Sequence, residues 1–171
     1  MSIATKTEQL LFLSSEWAES ARRLVDEAPD ERTRAGKQDA YWEWLESARE
    51  SYSTSWALGV RDQRLGAGTA HLRLGWRDGH CVESSVTGPG EPASADFVVS
   101  ATHDTWRGML TGEQDPTRAL LYRQFRLDRG ESVLFFRGLF LFVESLAALT
   151  RLPTRFESGP QDITDPREQD A

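Results

Sequence analysis

The 171-residue chain has one cysteine, Cys81, so an internal disulfide is excluded and a reducing compartment fits. It lacks a long hydrophobic run. The longest, Gly138 to Val143, falls far below the ~18 apolar residues that span a bilayer as a helix, so no transmembrane segment is expected. The first residues, MSIATKTEQLLFL, lack the apolar core and small-residue cleavage site of a secretory signal, and a cytoplasmic location is the expectation. Lysine is scarce: of 20 basic residues 18 are arginine. Net charge is −7, and from Ser51 to Leu152 eleven acids face eleven bases. Without a basic stripe there is nothing to follow a phosphate backbone, which argues against a nucleic-acid partner. Internal repeats, a nucleophile elbow, a phosphate-binding glycine loop and a paired-carboxylate motif are also missing.

What is present reads as one α+β domain over residues 1–152, followed by an acidic tail, 153–171, with three prolines and net charge −3. Ser14 or Ser15 caps a first helix, along which Trp17, Ala21, Leu24 and Ala28 recur at helical spacing before Pro29. The polar loop DERTRAGKQD leads to a second helix, AYWEWLESARE, with Tyr41, Leu45, Ala48 and Tyr52 on its apolar side. The two tryptophans of that helix, Trp42 and Trp44, lie ~200° apart, so one is expected at the surface.

The period then changes to alternation. Tyr52, Thr54, Trp56, Leu58 and Val60 mark a half-buried strand. TAHLRLGW and CVESSVT flank an Asp78-Gly79 turn as a hairpin, and ADFVVSA is a fourth strand. Two short helices follow, TWRGMLTG with Gly112 as terminator and PTRALLYR opened by Asp115-Pro116. FRLDRGE is a fifth strand. Ser132 is expected to cap one continuous helix through VLFFRGLFLFV, whose Arg137, Glu144 and Arg151 form a narrow polar stripe.

The run DFVVSATHDTWRGMLTGEQDPTRALLYRQFRLDRGE resembles the sterol carrier protein type 2 family. The alternating strand Asp96 to Ser100, the helix Trp106 to Gly112, Asp115-Pro116 with Ala119, and the strand Phe125 to Gly130-Glu131 carry the likeness. FLSSEWAESARRLV and LRLGWRDGHCVESSV extend it to roughly Leu11–Leu149, with bacterial stand-alone members as the model. Two features depart from the pattern: Arg123-Gln124 stands where Gly-Lys is usual, and the Tyr41–Arg49 helix is long. The resemblance implies a five-stranded, mainly antiparallel sheet covered by helices, with an apolar tunnel for a sterol, fatty acyl or similar chain. It implies no cofactor and no catalytic residue.

The expected ligand-binding residues are Trp56, Leu58, Trp76, Phe97, Val99, Trp106, Leu110, Phe125, Phe136 and Phe140, chosen from strand and helix phase. Trp56, Trp76 and Trp106 fill an ordinary core equally well. An alternative is an enzyme of specialised metabolism, a cyclase or isomerase shaping an apolar substrate, with His103, Asp104 and His71 as acid–base candidates. Asp104 is equally an N-cap. A third reading is a homodimer formed through the phenylalanine-rich helix. A His71/His80/Cys81 metal site with Glu83 is disfavoured, because strand neighbours 80 and 81 point to opposite faces; no metal is expected.

Overall fold

The computed structural model describes residues 8–27, 29, 31–61 and 69–156. Helix α1, Ser15–Asp26, starts where Ser14 accepts the Trp17 amide at 3.1 Å, and buries Trp17, Ala18, Ala21 and Val25. The expected continuation to Ala28 lies outside the described residues. A single turn, α2 (Glu31–Arg34), buries nothing, and α3 spans Asp39–Arg49. The buried side of α3 is Trp42 and Leu45, while Ala48 is exposed and Trp44 stands out of the surface. Leu45 keeps its place, and the buried face is turned from Tyr41 and Ala48 toward Trp42, by roughly 60° at 100° per residue. Trp42, the larger and more apolar ring, takes the core position expected for Tyr41.

Five strands follow the sequence periodicity: β2 (Thr54–Arg61), β3 (Thr69–Arg77), β4 (His80–Thr87), β5 (Phe97–Thr102) and β6 (Arg126–Arg129). They form one sheet in the order β4-β3-β2-β5-β6. Three pairings are antiparallel and the central one, β2 with β5, is parallel. Asp78 and Gly79 both take positive φ, 49° and 81°, the two-residue hairpin turn that the Asp-Gly pair favours. Glycine is further required at 79, since a Cβ would meet the Arg49 carbonyl oxygen at 2.4 Å.

Strand β2 is buried on both faces from Trp56 to Val60 rather than on one. The connection from β4 to β5 has to cross β3 and β2, and it does so on the face away from the core. Arg73 donates to Ser94 O at 2.7 Å there, and Asp96 accepts from Ser55 N at 3.0 Å.

Helices α4 (His103–Leu110) and α5 (Pro116–Leu121) stand as the sequence predicts, the latter capped by Asp115, which accepts from Thr117 N at 2.7 Å. The cap of α4 is Thr102, not Asp104, because Thr102 Oγ1 is the acceptor for Thr105 N at 3.2 Å. The single expected phenylalanine-rich helix is two: α6, Ser132–Arg137, preceded by Glu131 at the cap position, and α7, Leu139–Leu149. Gly138 breaks them, and a Cβ there would lie 2.9 Å from the Tyr52 hydroxyl.

A small parallel sheet joins β1 (Leu10–Leu11) to β7 (Thr154–Arg155). Residues 154 and 155, expected in the tail, are thereby paired with the first strand. Thr154 Oγ1 accepts from the fully buried Trp17 indole at 3.0 Å, and Phe156 stacks on Phe12 with centroids 5.1 Å apart. The rest of the expected tail, 157–171, lies outside the described residues. No described helix is long and apolar enough to cross a membrane.

Candidate functional site

The core between sheet and helices is filled by aromatic rings. Phe142 of α7 is its hub, 5.5 Å from Trp56, 5.2 Å from Phe135 and 6.0 Å from Phe125. Trp56 and Trp76 are 5.0 Å apart, and the Trp106 indole donates to Gly59 O at 2.9 Å. Of the ten expected ligand-binding residues, Trp56, Leu58, Trp76, Phe97, Val99, Trp106 and Leu110 are buried in this packing. Phe125 is half-buried beside them. Phe136 and Phe140 lie on the outer surface, 61% and 49% exposed, because the break at Gly138 turns each helix separately.

The described residues border a large, partly open cavity elsewhere, of about 790 Å³, between α1, α2, α3, α7 and the β3–β4 turn. None of the ten residues borders it. Two helices present regular faces to it. From α3 come Trp42, Leu45, Glu46 and Arg49, at i, i+3, i+4 and i+7; from α7 come Leu141, Glu144, Ser145, Ala147 and Ala148, with Arg151 just past its end. Leu24 and Val25 of α1 continue the apolar wall, and Arg32 and Arg34 of α2 stand at one side.

Arg49 holds the floor. Its guanidinium donates to Gly79 O at 2.5 Å and to Asp26 O at 2.9 Å, satisfying a carbonyl at the C-terminal end of α1. The Asp26 carboxylate meets Cys81 N at 3.0 Å and His80 Nδ1 at 3.2 Å. Opposite, Glu144 clasps two groups of the α3 side. Lys37 Nζ lies 2.5 Å from its Oε1 and the Tyr41 hydroxyl donates to the same oxygen at 2.8 Å. Burial works against the Lys37 ammonium, but the hydrogen bond and charge of Glu144 outweigh it and raise its pKa. Burial first, then the Glu144 hydrogen bond and charge, pushes the Tyr41 phenol up as well. Ser145 is buried in the cavity-facing row of α7, and its hydroxyl has no hydrogen-bond partner among the described residues.

The acid–base candidates are not assembled. His71 sits on the sheet face away from the helices, across from Gly59 and Thr87; burial lowers its pKa, partly opposed by the charge of Asp128. His103 packs between Phe12 and Phe156, at 6.2 and 5.6 Å, and Asp104 is exposed in the first turn of α4. None of the three lines the cavity. His80 is exposed at the turn while Cys81 is buried, its thiol pushed up to about 12 by burial and then by Asp26. Among the described residues no group of three metal-ligating side chains comes together.

Sequence reasoning missed the cavity because its lining comes from mixed polar and apolar helix faces with no motif. The one available signal was the spacing of Trp42, Leu45, Glu46 and Arg49.

No family model and no curated protein matches the chain. Solved structures do. A sterol carrier protein 2 crystal structure matches at 22% identity with a TM-score of 0.63, over 82% of this chain and 98% of that one. A conserved hypothetical protein from Thermus thermophilus, suggested to be a sterol carrier protein, matches at 22% identity with a TM-score of 0.61, over 90% and 95%. The chain has the sterol carrier protein 2 fold: a mixed five-stranded sheet packed with helices.

Proposed function

We propose that this sterol-carrier-like chain binds a hydrophobic small molecule, a sterol, fatty acyl or polyketide- or terpenoid-like chain, in the cavity between α1–α3 and α7. The observation that carries the reading is the cavity itself. Its volume of about 790 Å³ falls within the ~300–1,000 Å³ of sites that enclose small ligands. An apolar body would lie against Leu24, Val25, Trp42, Leu45 and Leu141, gaining ~25 cal/mol for each Å² of apolar surface removed from water. The charged rim, Arg32, Glu46 and Glu144 among it, would keep a polar end in water. The fold supports the same reading, and a cytoplasmic carrier with one buried thiol is consistent with it.

The test is native mass spectrometry of freshly purified protein, followed by organic extraction and identification of what is released. A stoichiometric hydrophobic adduct is expected. The Ala147→Trp variant, which places an indole in the cavity wall, should lose the adduct while keeping its circular dichroism spectrum. Absence of any adduct across expression hosts and after incubation with fatty acids and sterols would overturn the reading. An adduct held equally by Ala147→Trp would place the ligand elsewhere.

A further inference from the structure

Eight large apolar side chains are exposed among the described residues, and six of them fall in one short part of the chain: Leu121, Tyr122, Val133, Leu134, Phe136 and Phe140. The segment that carries them, residues 116–140, has five arginines against two acids, a net of +3. The chain as a whole is −7, so the remaining residues sum to −10. Exposed apolar surface and positive charge are therefore concentrated together, in a molecule that is otherwise strongly acidic.

The residues come from neighbouring elements, since α5 and α6 both pack on α7. From α3, Trp44 joins them, its ring perpendicular to that of Phe140 with centroids 5.0 Å apart. Arg118 stacks on Tyr122 at 5.6 Å, and Arg118, Arg123 and Arg137 are all exposed. Aromatic and aliphatic side chains set among arginines match the boundary between lipid headgroups and acyl chains, where aromatic rings and basic side chains are both favoured.

We propose that this face docks on an anionic lipid bilayer, with Trp44, Phe136 and Phe140 entering the interface and Arg118, Arg123 and Arg137 meeting lipid phosphates. Charge decides between a bilayer and a second copy of the chain. A two-fold contact would set the +3 segment against itself, whereas an anionic surface complements it. The insertion is shallow, because no described helix is long enough to cross. The proposal does not depend on the cavity's ligand, although Leu45, Arg49 and Leu141 border both that cavity and the small hollow beside Trp44 and Phe140.

The experiment is co-sedimentation of the full chain with vesicles of phosphatidylcholine, with and without phosphatidylglycerol. Wild-type protein should partition onto the phosphatidylglycerol vesicles and lose that partition in high salt. Each Arg→Gln change at 118, 123 or 137 should weaken it about fivefold. The double variant Phe136→Ser/Phe140→Ser should weaken it at least about tenfold. These side chains are already at the surface, so circular dichroism should be unchanged. Trp44 is the one exposed tryptophan of six, the others being at most 4% exposed. Brominated lipid should therefore quench fluorescence that is absent in Trp44→Phe. Wild-type protein left in the supernatant at every phosphatidylglycerol content would overturn the proposal. So would equal binding by the aromatic double variant. A dimer in sedimentation velocity that this variant converts to monomer, with no vesicle binding by either, would show that a second copy covers the face instead.

Discussion

Individual side chains in this molecule show how burial sets chemistry. Gly138 and Gly79 are defined by what sits where a Cβ would go, the Tyr52 hydroxyl in one case and the Arg49 carbonyl in the other. Tyr52 accepts the Trp56 indole N–H at 2.9 Å, and burial pushes its phenol up to about 12. His71 illustrates the opposite sign. Its pKa in the fold lies below the ordinary 6.5, with burial as the main cause. Below about pH 6.5 the unfolded chain takes up a proton that the folded chain refuses, so the unfolded state binds more protons and stability falls as pH falls. Glu19, held down at about 2 chiefly by its hydrogen bond to Arg22, loses its contribution only as pH falls below 4.5, a separate window. Urea midpoints measured between about pH 7 and about pH 5 should thus drop for wild type and drop less for His71→Gln. Equal slopes would mean that another group controls this range.

At the scale of elements, the short β1–β7 pair does more than its two residues per strand suggest. It places Thr154 under the Trp17 indole and Phe156 on Phe12. Compared with a chain ending at Phe156, one ending at Leu152 should be less stable by about 2–4 kcal/mol in urea denaturation, from an orphaned buried donor and lost ring packing. Thr154→Val alone isolates the donor and should cost about 1–3 kcal/mol.

Elements with a strong local signal were legible in the sequence. Ser14, the Asp78-Gly79 turn, Asp115-Pro116 and the positions of β2, β3 and β5 all have a local physical cause and stand where they were expected, although β2 is buried on both faces rather than one. The break at Gly138 was not legible, because it is set by Tyr52 approaching from eighty-six residues away. The rotation of α3 was missed for a related reason: competition between Trp42 and Tyr41 for the core is decided by the neighbouring elements. The cavity inherits both errors, since α3 and α7 form its walls.

For the whole molecule, the proposed ligand would make stability depend on occupancy. Ligand at about one hundred times its Kd adds about 2.7 kcal/mol, which corresponds to a Tm increase of roughly 5–10 °C for a chain of this size. Calorimetry on delipidated protein with and without added fatty acid should show that increase, and Ala147→Trp should show none. A shift of equal size in the variant would separate the stabilisation from the cavity.

The crossing of Gly88–Asp96 behind the sheet also dictates an order of assembly. β2 finds β3 through a short connection, Arg61 opposite Thr69, but its other edge waits for a strand whose first residue, Phe97, pairs with Trp56. As the chain leaves the ribosome, β2, β3 and β4 are complete while that edge is still bare. Any chain that stops short of Phe97 therefore carries an open strand edge bordered by Trp56, Leu58 and Val60, a template on which the next such chain adds its own.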